Sequence, residues 1–371
     1  MSGQKCDWGA VKRSLKIMDR KKVMVGMSGG VDSSVTALLL KQQGYDVTGV
    51  TLKLRPAKYV GADDGQGDIN DAKMVADKIG IIHDVVDFSD LFEKKVIESF
   101  AKAYCSGRTP NPCVLCNKFI KFGAMFDYAM RNGFDYIATG HYATVGYDAD
   151  RNGWLLRRAN SGKDQSYMLY NLTQSQLAHT LFPLGIGNFE KDQTRKIAED
   201  FELPIAKKPD SQEICFIKSG NYIDFLEKNF NVAKREGNFV DKSGNVLGRH
   251  NGILNYTVGQ RKGFGVTFGK PMYVIDINTA DNTVVLGENG DQYSTELVAT
   301  DLNFIPFDFP DSEIAVTAKI RYQSKPERAR IVPLDPDKVK VIFEKPQRAV
   351  TKGQSVVFYD GDIVVGGGII S

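Results

Sequence analysis

The feature that most restricts how this chain can fold is an uninterrupted succession of strand, glycine loop and helix near its N-terminus. Lys22-Val-Met-Val-Gly-Met27 has the apolar character of a strand buried on both faces. Ser28-Gly29-Gly30-Val31-Asp32-Ser33-Ser34 follows, then an apolar helical stretch to Gln43 and a second strand candidate at 47–54. This is a βαβ unit, and parallel strands need such a crossover. Helix-like stretches at 71–79, 91–103 and 121–132 alternate with strand candidates at 81–88 and 136–139. The first domain is therefore expected to be α/β, a parallel sheet covered on both faces.

A loop in this position points backbone N–H groups and the positive end of a helix at whatever lies above it, so phosphate is its natural ligand. No Lys-Ser/Thr follows the glycines, as a Walker loop requires, and the G-x-G-x-x-G spacing of dinucleotide sites is absent. The simpler reading is a tight strand-to-helix turn, in which glycines supply positive φ and Ser or Asp caps the helix. The full string Ser-Gly-Gly-Val-Asp-Ser resembles the pyrophosphate loop of the ATP pyrophosphatases, which split ATP between the α and β phosphates to adenylate a substrate. On that resemblance Asp32 would support the loop or bind Mg²⁺. Ser33, Ser34 and the loop amides would grip pyrophosphate.

The grammar changes beyond residue 190. Helical stretches at 190–197 and 222–226 flank the polar Lys207-Lys-Pro-Asp-Ser-Gln-Glu213. Segments 239–247 and 272–286 then read as hairpins around turn-forming residues. Strand-like runs at 313–321, 329–333, 338–343, 354–359 and 362–365, separated by Pro, Asp and Gly, suggest a small antiparallel barrel. With 371 residues, more than one core is expected. The boundaries fall near 220 and 290: an α/β domain over 1–220, a β-rich connector over 221–290 and a C-terminal barrel over 291–371.

Charge discriminates little, because 48 basic and 45 acidic residues leave a net +3. The basic cluster Lys5, Lys12, Arg13, Lys16, Arg20, Lys21 and Lys22 is read as a solvated helix rather than a phosphate contact. No run approaches the ~20 apolar residues of a membrane span, and no apolar stretch follows the early basic residues. The expected location is the cytoplasm, with no membrane partner. Five cysteines then suggest catalytic or metal roles rather than a disulfide framework.

Thr109-Pro-Asn-Pro-Cys-Val-Leu-Cys-Asn-Lys-Phe-Ile-Lys-Phe122 places Cys113 and Cys116 just before a helix-like run, whose dipole is expected to leave both thiols partly ionised. Cys215 follows in Asp210-Ser-Gln-Glu-Ile-Cys-Phe-Ile217, while Cys6 and Cys105 are read as incidental. Three thiols are also a ligand set for zinc or for an iron–sulfur cluster with one open iron, and spacing alone does not assign a metal.

These segments, together with Ala138-Thr-Gly-His-Tyr-Ala143, Lys163-Asp-Gln-Ser-Tyr167 and Gly259-Gln-Arg-Lys-Gly-Phe-Gly265, resemble in order the signatures of the tRNA-specific 2-thiouridylases over nearly the whole chain. The resemblance implies an ATP-dependent tRNA sulfurtransferase that makes 2-thiouridine at the wobble uridine. Cys116 would be the nucleophile, and Cys215 the persulfide carrier supplied by a sulfur-relay or cysteine desulfurase protein. The two would pair transiently as a disulfide, with Cys113, Cys116 and Cys215 as cluster ligands in the alternative reading.

The resemblance also assigns ATP contacts to Gly26, Met27, Ser28, Gly29, Gly30, Val31, Asp32, Ser33, Leu52 and Gly140. It assigns tRNA contacts to Asn111, Pro112, Cys113, His141, Lys163, Asp164, Gln165, Arg321, Tyr322 and Gln354. Many family members carry Asp where this chain has Cys113, a departure that leaves open the acid–base role proposed there. Without the motifs, His141 would read as a hydrogen-bonded loop residue and Arg321-Tyr322 as barrel surface. Two rivals follow: a pyrophosphatase-loop synthetase with a nitrogen nucleophile, needing neither Cys116 nor Cys215, and a metal-stabilised RNA-binding protein that forms no AMP.

Overall fold

The computed structural model describes residues 20–60, 65–210, 214–217, 221–230, 232 and 235–371. Lys5, Cys6, Lys12, Arg13, Lys16 and the Ser211-Gln-Glu213 part of one motif lie outside them. Of the remaining early basic residues, Lys21 pairs with Asp135 at 2.8 Å, in keeping with a structural role.

Strands β1 (Lys22–Gly26), β2 (Asp46–Lys53), β3 (Ile82–Asp87) and β4 (Tyr136–Ala138) run parallel. The chain leaves for a hairpin, β5 (Ala143–Asp148) and β6 (Gly153–Arg158), and returns as the short strand β7 (Thr180–Leu181). The sheet order is β3-β2-β1-β4-β7. Strand order therefore reverses beside β1, and the crevice at such a switch point, outside the carboxyl ends of the strands, is where ligands bind in open α/β sheets.

Val23, Met24 and Val25 of β1 are buried, with side chains alternating between two cores. One core packs helix α1 (Val31–Gln42) through Val31, Val35, Leu38 and Leu39 against Ala72, Val75 and Ile197. The other packs Met24 with Phe122, Met125, Ile137 and Phe182. The expectation of a sheet covered on both faces fails at its edge. There, Ile82 is 68% exposed and Val85 47%, because no described element lies beyond β3.

The two hairpins expected from turn chemistry form as β8 (Gly237–Val240) with β9 (Val246–His250), and β10 (Tyr273–Asn278) with β11 (Thr283–Gly287). They join through a parallel β8–β11 pairing around Phe239, Val274 and Leu286. The C-terminal strands are β12 (Tyr293–Phe304), β13 (Ile314–Lys319), β14 (Glu327–Asp335), β15 (Lys338–Arg348), β16 (Ser355–Asp360) and β17 (Ile363–Ile370). They run in the order β12-β15-β14-β13-β16-β17, and β17 pairs back with β12 to close a six-stranded antiparallel barrel. Closure removes the exposed edges a small sheet would otherwise present. The β5–β6 hairpin extends this sheet through Arg157 opposite Ile363, so the barrel is joined to the α/β domain by strand pairing as well as by side chains.

Candidate active site

The glycine loop leaves β1 at the switch point. Its start is held by the Met27 N–H on the Val50 carbonyl at 2.8 Å, and by the Thr51 hydroxyl donating to the Met27 carbonyl at 2.9 Å. Leu52, the candidate adenine contact, lies on β2 one residue beyond, partly buried between two core clusters. Gly29 adopts φ +69°, and a Cβ there would stand 2.5 Å from the Asp68 carbonyl oxygen, so only glycine fits. Gly30 precedes α1 without any side-chain cap. The first-turn N–H groups of α1 thus have no side chain to satisfy them, the condition under which a helix N-terminus receives phosphate. Ser33 does not point its hydroxyl outward: it accepts from the Ser28 N–H and donates to the Gly30 carbonyl, both at 3.2 Å, bracing the loop.

Gly140, two residues beyond the end of β4, closes the crevice from the β4 side. A Cβ at Gly140 would lie 2.8 Å from both the Asp32 carbonyl carbon and the Ser33 nitrogen. Asp32 accepts through Oδ1 from the Tyr142 hydroxyl at 2.8 Å and from Lys191 at 2.7 Å. Its Oδ2 has no hydrogen-bond partner among the described residues. That oxygen beside an uncapped helix start suits Asp32 to support Mg²⁺ on a phosphate. Lys191 also reaches Asp210 at 2.8 Å, as does Arg195, and Lys163 completes the ring of cations around that carboxylate. Burial would raise the Asp210 carboxyl, but the Lys163 and Lys191 contacts outweigh it and hold it at about 2. Sequence reasoning assigned no role to Tyr142, although it lies in the Ala138–Ala143 signature, or to Lys191 and Arg195; only folding brings Tyr142 and Lys191 to Asp32 and Arg195 to Asp210.

Cys113 and Cys116 lie within a short helix, Pro112–Cys116, as its second and last residues rather than before it. Asn111 is its N-cap, accepting from the Val114 N–H, and Pro112 occupies the first helical position, where its missing N–H costs nothing. The helix then widens into a π-helical segment, Asn117–Ala124, before resuming at Met125. The expected thiolates are not found. Burial raises the Cys116 thiol to about 12 and the Cys215 thiol to about 11, and raises Cys113 as well. Desolvation of buried sulfur exceeds the dipole of one short turn. Cys113 and Cys215 are open to solvent at their surfaces yet walled by protein on most sides, whereas Cys116 is buried at 8% exposure.

Cys105, Cys113, Cys116 and Cys215 are all free thiols. Cys116 feels the charge of both Cys215 and Cys113, so folding gathers the three sulfurs into one neighbourhood. Even so, no three His, Cys, Asp or Glu side chains among the described residues converge as a metal ligand set. A metal or cluster site on the three thiols is therefore not shown by this arrangement.

His141 links the two halves of the site, since it follows Gly140 on the loop that closes over α1. It is buried, hydrogen-bonded through Nδ1 to the Thr139 hydroxyl at 2.7 Å, and flanked by Phe122 and Phe182. Burial lowers its pKa well below the usual imidazole value, so the ring is neutral. The other residues expected at tRNA serve as internal ties here. Asp164 accepts from Arg158, the Ala159 N–H and Ser166, and Gln165 accepts from the Tyr142 N–H at 3.0 Å. Gln354 donates to the carbonyls of Thr109 at 2.8 Å and Pro110 at 3.3 Å, which anchors the segment leading to the cysteines on the barrel. Arg321 donates to the Arg348 carbonyl at 2.7 Å, and Tyr322 lies beside Tyr167 and Lys319.

A parallel sheet with an uncapped helix start at its switch point is the architecture of the pyrophosphate-loop class, here joined to a closed barrel. Models of three families match consecutive stretches: the "tRNA methyl transferase HUP domain" over residues 21–219, the "tRNA methyl transferase PRC-barrel domain" over 223–288 and the "Aminomethyltransferase beta-barrel domain" over 294–370. The tRNA-specific 2-thiouridylase MnmA of Acetivibrio thermocellus is 54% identical over 360 residues, covering 95% of this chain and all of that one. The enzyme of the same name from Clostridioides difficile is 54% identical over 355 residues, covering 94% of this chain and 98% of its own length. The chain belongs to the tRNA-specific 2-thiouridylase family, and it is a tRNA sulfurtransferase that uses ATP. Methyl transfer appears only in the wording of the family models. No helix among the described residues is long and apolar enough to cross a membrane.

Proposed function

We propose that this enzyme thiolates C2 of the wobble uridine of tRNA through an adenylated intermediate and a cysteine persulfide. The observation that carries this reading is the meeting of Cys116 and Cys215, far apart in sequence, in a neighbourhood joined to the phosphate loop through Gly140 and His141. The uracil C2 oxygen attacks the α-phosphorus of ATP and pyrophosphate leaves toward the N-terminus of α1, which turns a poor leaving group into AMP. Mg²⁺ held near Asp32 would neutralise charge on the departing phosphates.

Cys215, charged beforehand by a sulfur-relay or cysteine desulfurase protein, presents its terminal sulfur to C2. The C2–S bond forms, the C2–O bond breaks and AMP departs with the electron pair. The Cys116 thiolate then attacks Sγ of Cys215, and the sulfur left on C2 becomes the thiocarbonyl. A transient Cys116–Cys215 disulfide remains, which a thiol reductant returns to the free thiols. The terminal sulfur of the Cys215 persulfide and the Cys116 thiol must each give up a proton, and burial opposes ionisation of the Cys116 thiol, so its deprotonation is coupled to substrate binding.

In this reading Asn111, Pro112, Cys113 and His141 receive the flipped base, while Lys163, Asp164, Gln165, Arg321, Tyr322 and Gln354 line the tRNA surface. Their internal hydrogen bonds set the shape that the RNA meets. We divide the chain into a catalytic domain over 1–220, a connector over 221–290 and a barrel over 291–371, and we expect it to act in the cytoplasm. The test incubates the protein with unmodified tRNA, ATP, Mg²⁺ and a persulfide donor and measures 2-thiouridine by nucleoside mass spectrometry. Cys215→Ser is expected to release pyrophosphate and form the adenylate without thiolation; thiolation by that variant refutes the persulfide route.

A further inference from the structure

Of the two lysines following Cys116, Lys118 is neutralised by Asp301 at 3.1 Å and lies against the ring of Phe119. Lys121 differs. It is partly buried and makes no ion pair, hydrogen bond or ring contact among the described residues. A half-buried ammonium without a counter-charge is costly, and such a cation is usually completed by an anion from substrate or from a reaction step.

The backbone explains where it points. In an α-helix five residues advance about 500°, which would leave positions 116 and 121 about 140° apart around the axis. The π-helical i→i+5 repeat of Asn117–Ala124 brings residues five apart back to one side of the axis, as a local widening at a functional position does. The close approach of Gly123 to the Lys118 carbonyl, 3.0 Å from a would-be Cβ, marks the same five-residue repeat. Lys121 thereby shares a side with Cys116. Its charge reaches Cys113, Cys116, Cys215 and His141 together.

We propose that Lys121 is the counter-cation of the sulfur-transfer site, a positioning residue whose ammonium holds first the anionic terminal sulfur of the Cys215 persulfide and then the Cys116 thiolate. The inference rests on the persulfide reading above for its place in the reaction. Lys121 exchanges no proton in it: the Cys116 proton leaves to solvent or substrate, the electron pair stays on sulfur, and the ammonium offsets the new charge. Neutral His141 offers no competing charge, and among the described residues Arg55 adds a second cation near Cys215, while Cys113 opposes ionisation. One lysine thus serves two sulfurs that are anionic at successive steps.

The test measures alkylation of Cys215 in Cys116→Ser protein, and of Cys116 in Cys215→Ser protein, against pH, with Lys121 intact or changed to Met, Gln or Arg. Met and Gln are expected to move each alkylation midpoint upward by at least one pH unit, so the rate at fixed pH falls about tenfold. Lys121→Arg restores it. In otherwise native enzyme the same Met or Gln change slows thiolation at least tenfold and shifts its pH optimum upward, while pyrophosphate release stays unchanged.

Unaltered alkylation profiles in folded Met and Gln variants overturn the proposal. So does weakened tRNA binding with unaltered profiles, which would make Lys121 a phosphate contact. Because thiol reactivity is read without tRNA or ATP, failure of the persulfide mechanism, seen as thiolation surviving Cys215→Ser, is distinguished from failure of this assignment.

Discussion

Replacing Gly140 with alanine tests whether the phosphate site depends on backbone contact between the turn after β4 and the start of α1. A methyl carbon placed there lies 2.8 Å from the Asp32 carbonyl carbon and the Ser33 nitrogen, whereas nonbonded carbon atoms settle at about 3.5–4.0 Å. Both opposing atoms are backbone, so no rotamer change relieves the overlap, and the turn or the first turn of α1 must move by about 0.7 Å or more. Overpacking of this kind costs about 1–3 kcal/mol. If the loop absorbs the strain, ATP affinity falls about 5- to 150-fold, since the displaced N–H groups are those that would meet phosphate.

If the fold absorbs it instead, Tm drops by several degrees, at about 2–4 °C per kcal/mol for a domain of this size. The assay is ATP binding by calorimetry beside a thermal melt. The control is Gly146→Ala on β5, where an added Cβ meets nothing within 4 Å, and it is expected to change neither quantity. Gly140→Ala protein with unaltered ATP affinity and unaltered Tm would refute the claim that this close approach shapes the site.

Asp32→Ala should abolish AMP release with the fold intact in circular dichroism; adenylation at the native rate would remove Asp32 from the loop's machinery. Gln354→Ala forfeits donors to two carbonyls, at about 0.5–1.5 kcal/mol each, so Tm and the thiolation rate should both fall, and an unchanged melt would show that the barrel does not anchor the segment before Asn111. The thiols at about 12 and about 11 stand above the ordinary 9.0, so the native state holds their protons longer than the unfolded chain does. Their contribution is fully present below pH 9 and is lost as pH rises through 11 and 12. Chemical denaturation should show native protein losing stability over pH 9–11 more steeply than Cys215→Ser, and parallel curves would contradict the raised thiol.

How much of this was legible in the sequence follows the range of each interaction. The glycine loop was readable because its requirements are local: two glycines, a strand before them and a helix after. The four-stranded connector was readable because turn residues bracket each hairpin. Strand β12 was not, although it closes the barrel, because its alternating exposure Tyr293-Ser-Thr-Glu-Leu-Val-Ala-Thr carries many polar residues outward and no turn signal interrupts it. The β5–β6 hairpin escaped for another reason: it lies inside the α/β segment yet extends the barrel's sheet. The cysteines were placed before their helix because Asn111-Pro112, a strong cap and first-turn pair, was not taken as its start.

Lys121 was hidden more deeply. An α-helical period puts it off the face of Cys116, and only the π-helical segment, which no simple propensity announces, returns it to the sulfurs. The contact between Gln354 and Thr109 likewise joins positions 245 residues apart and leaves no trace in either neighbourhood. These non-local ties have a common consequence. The barrel, which carries the expected tRNA contacts Arg321, Tyr322 and Gln354, also grips the segment entering the cysteine helix through Gln354 and the π-helical segment after it through Lys118–Asp301. RNA that displaces the barrel would therefore pull on the cysteine helix itself. In an enzyme whose resting thiols are protonated, that coupling offers a physical route by which the correct tRNA, rather than any nucleotide, readies the sulfur chemistry.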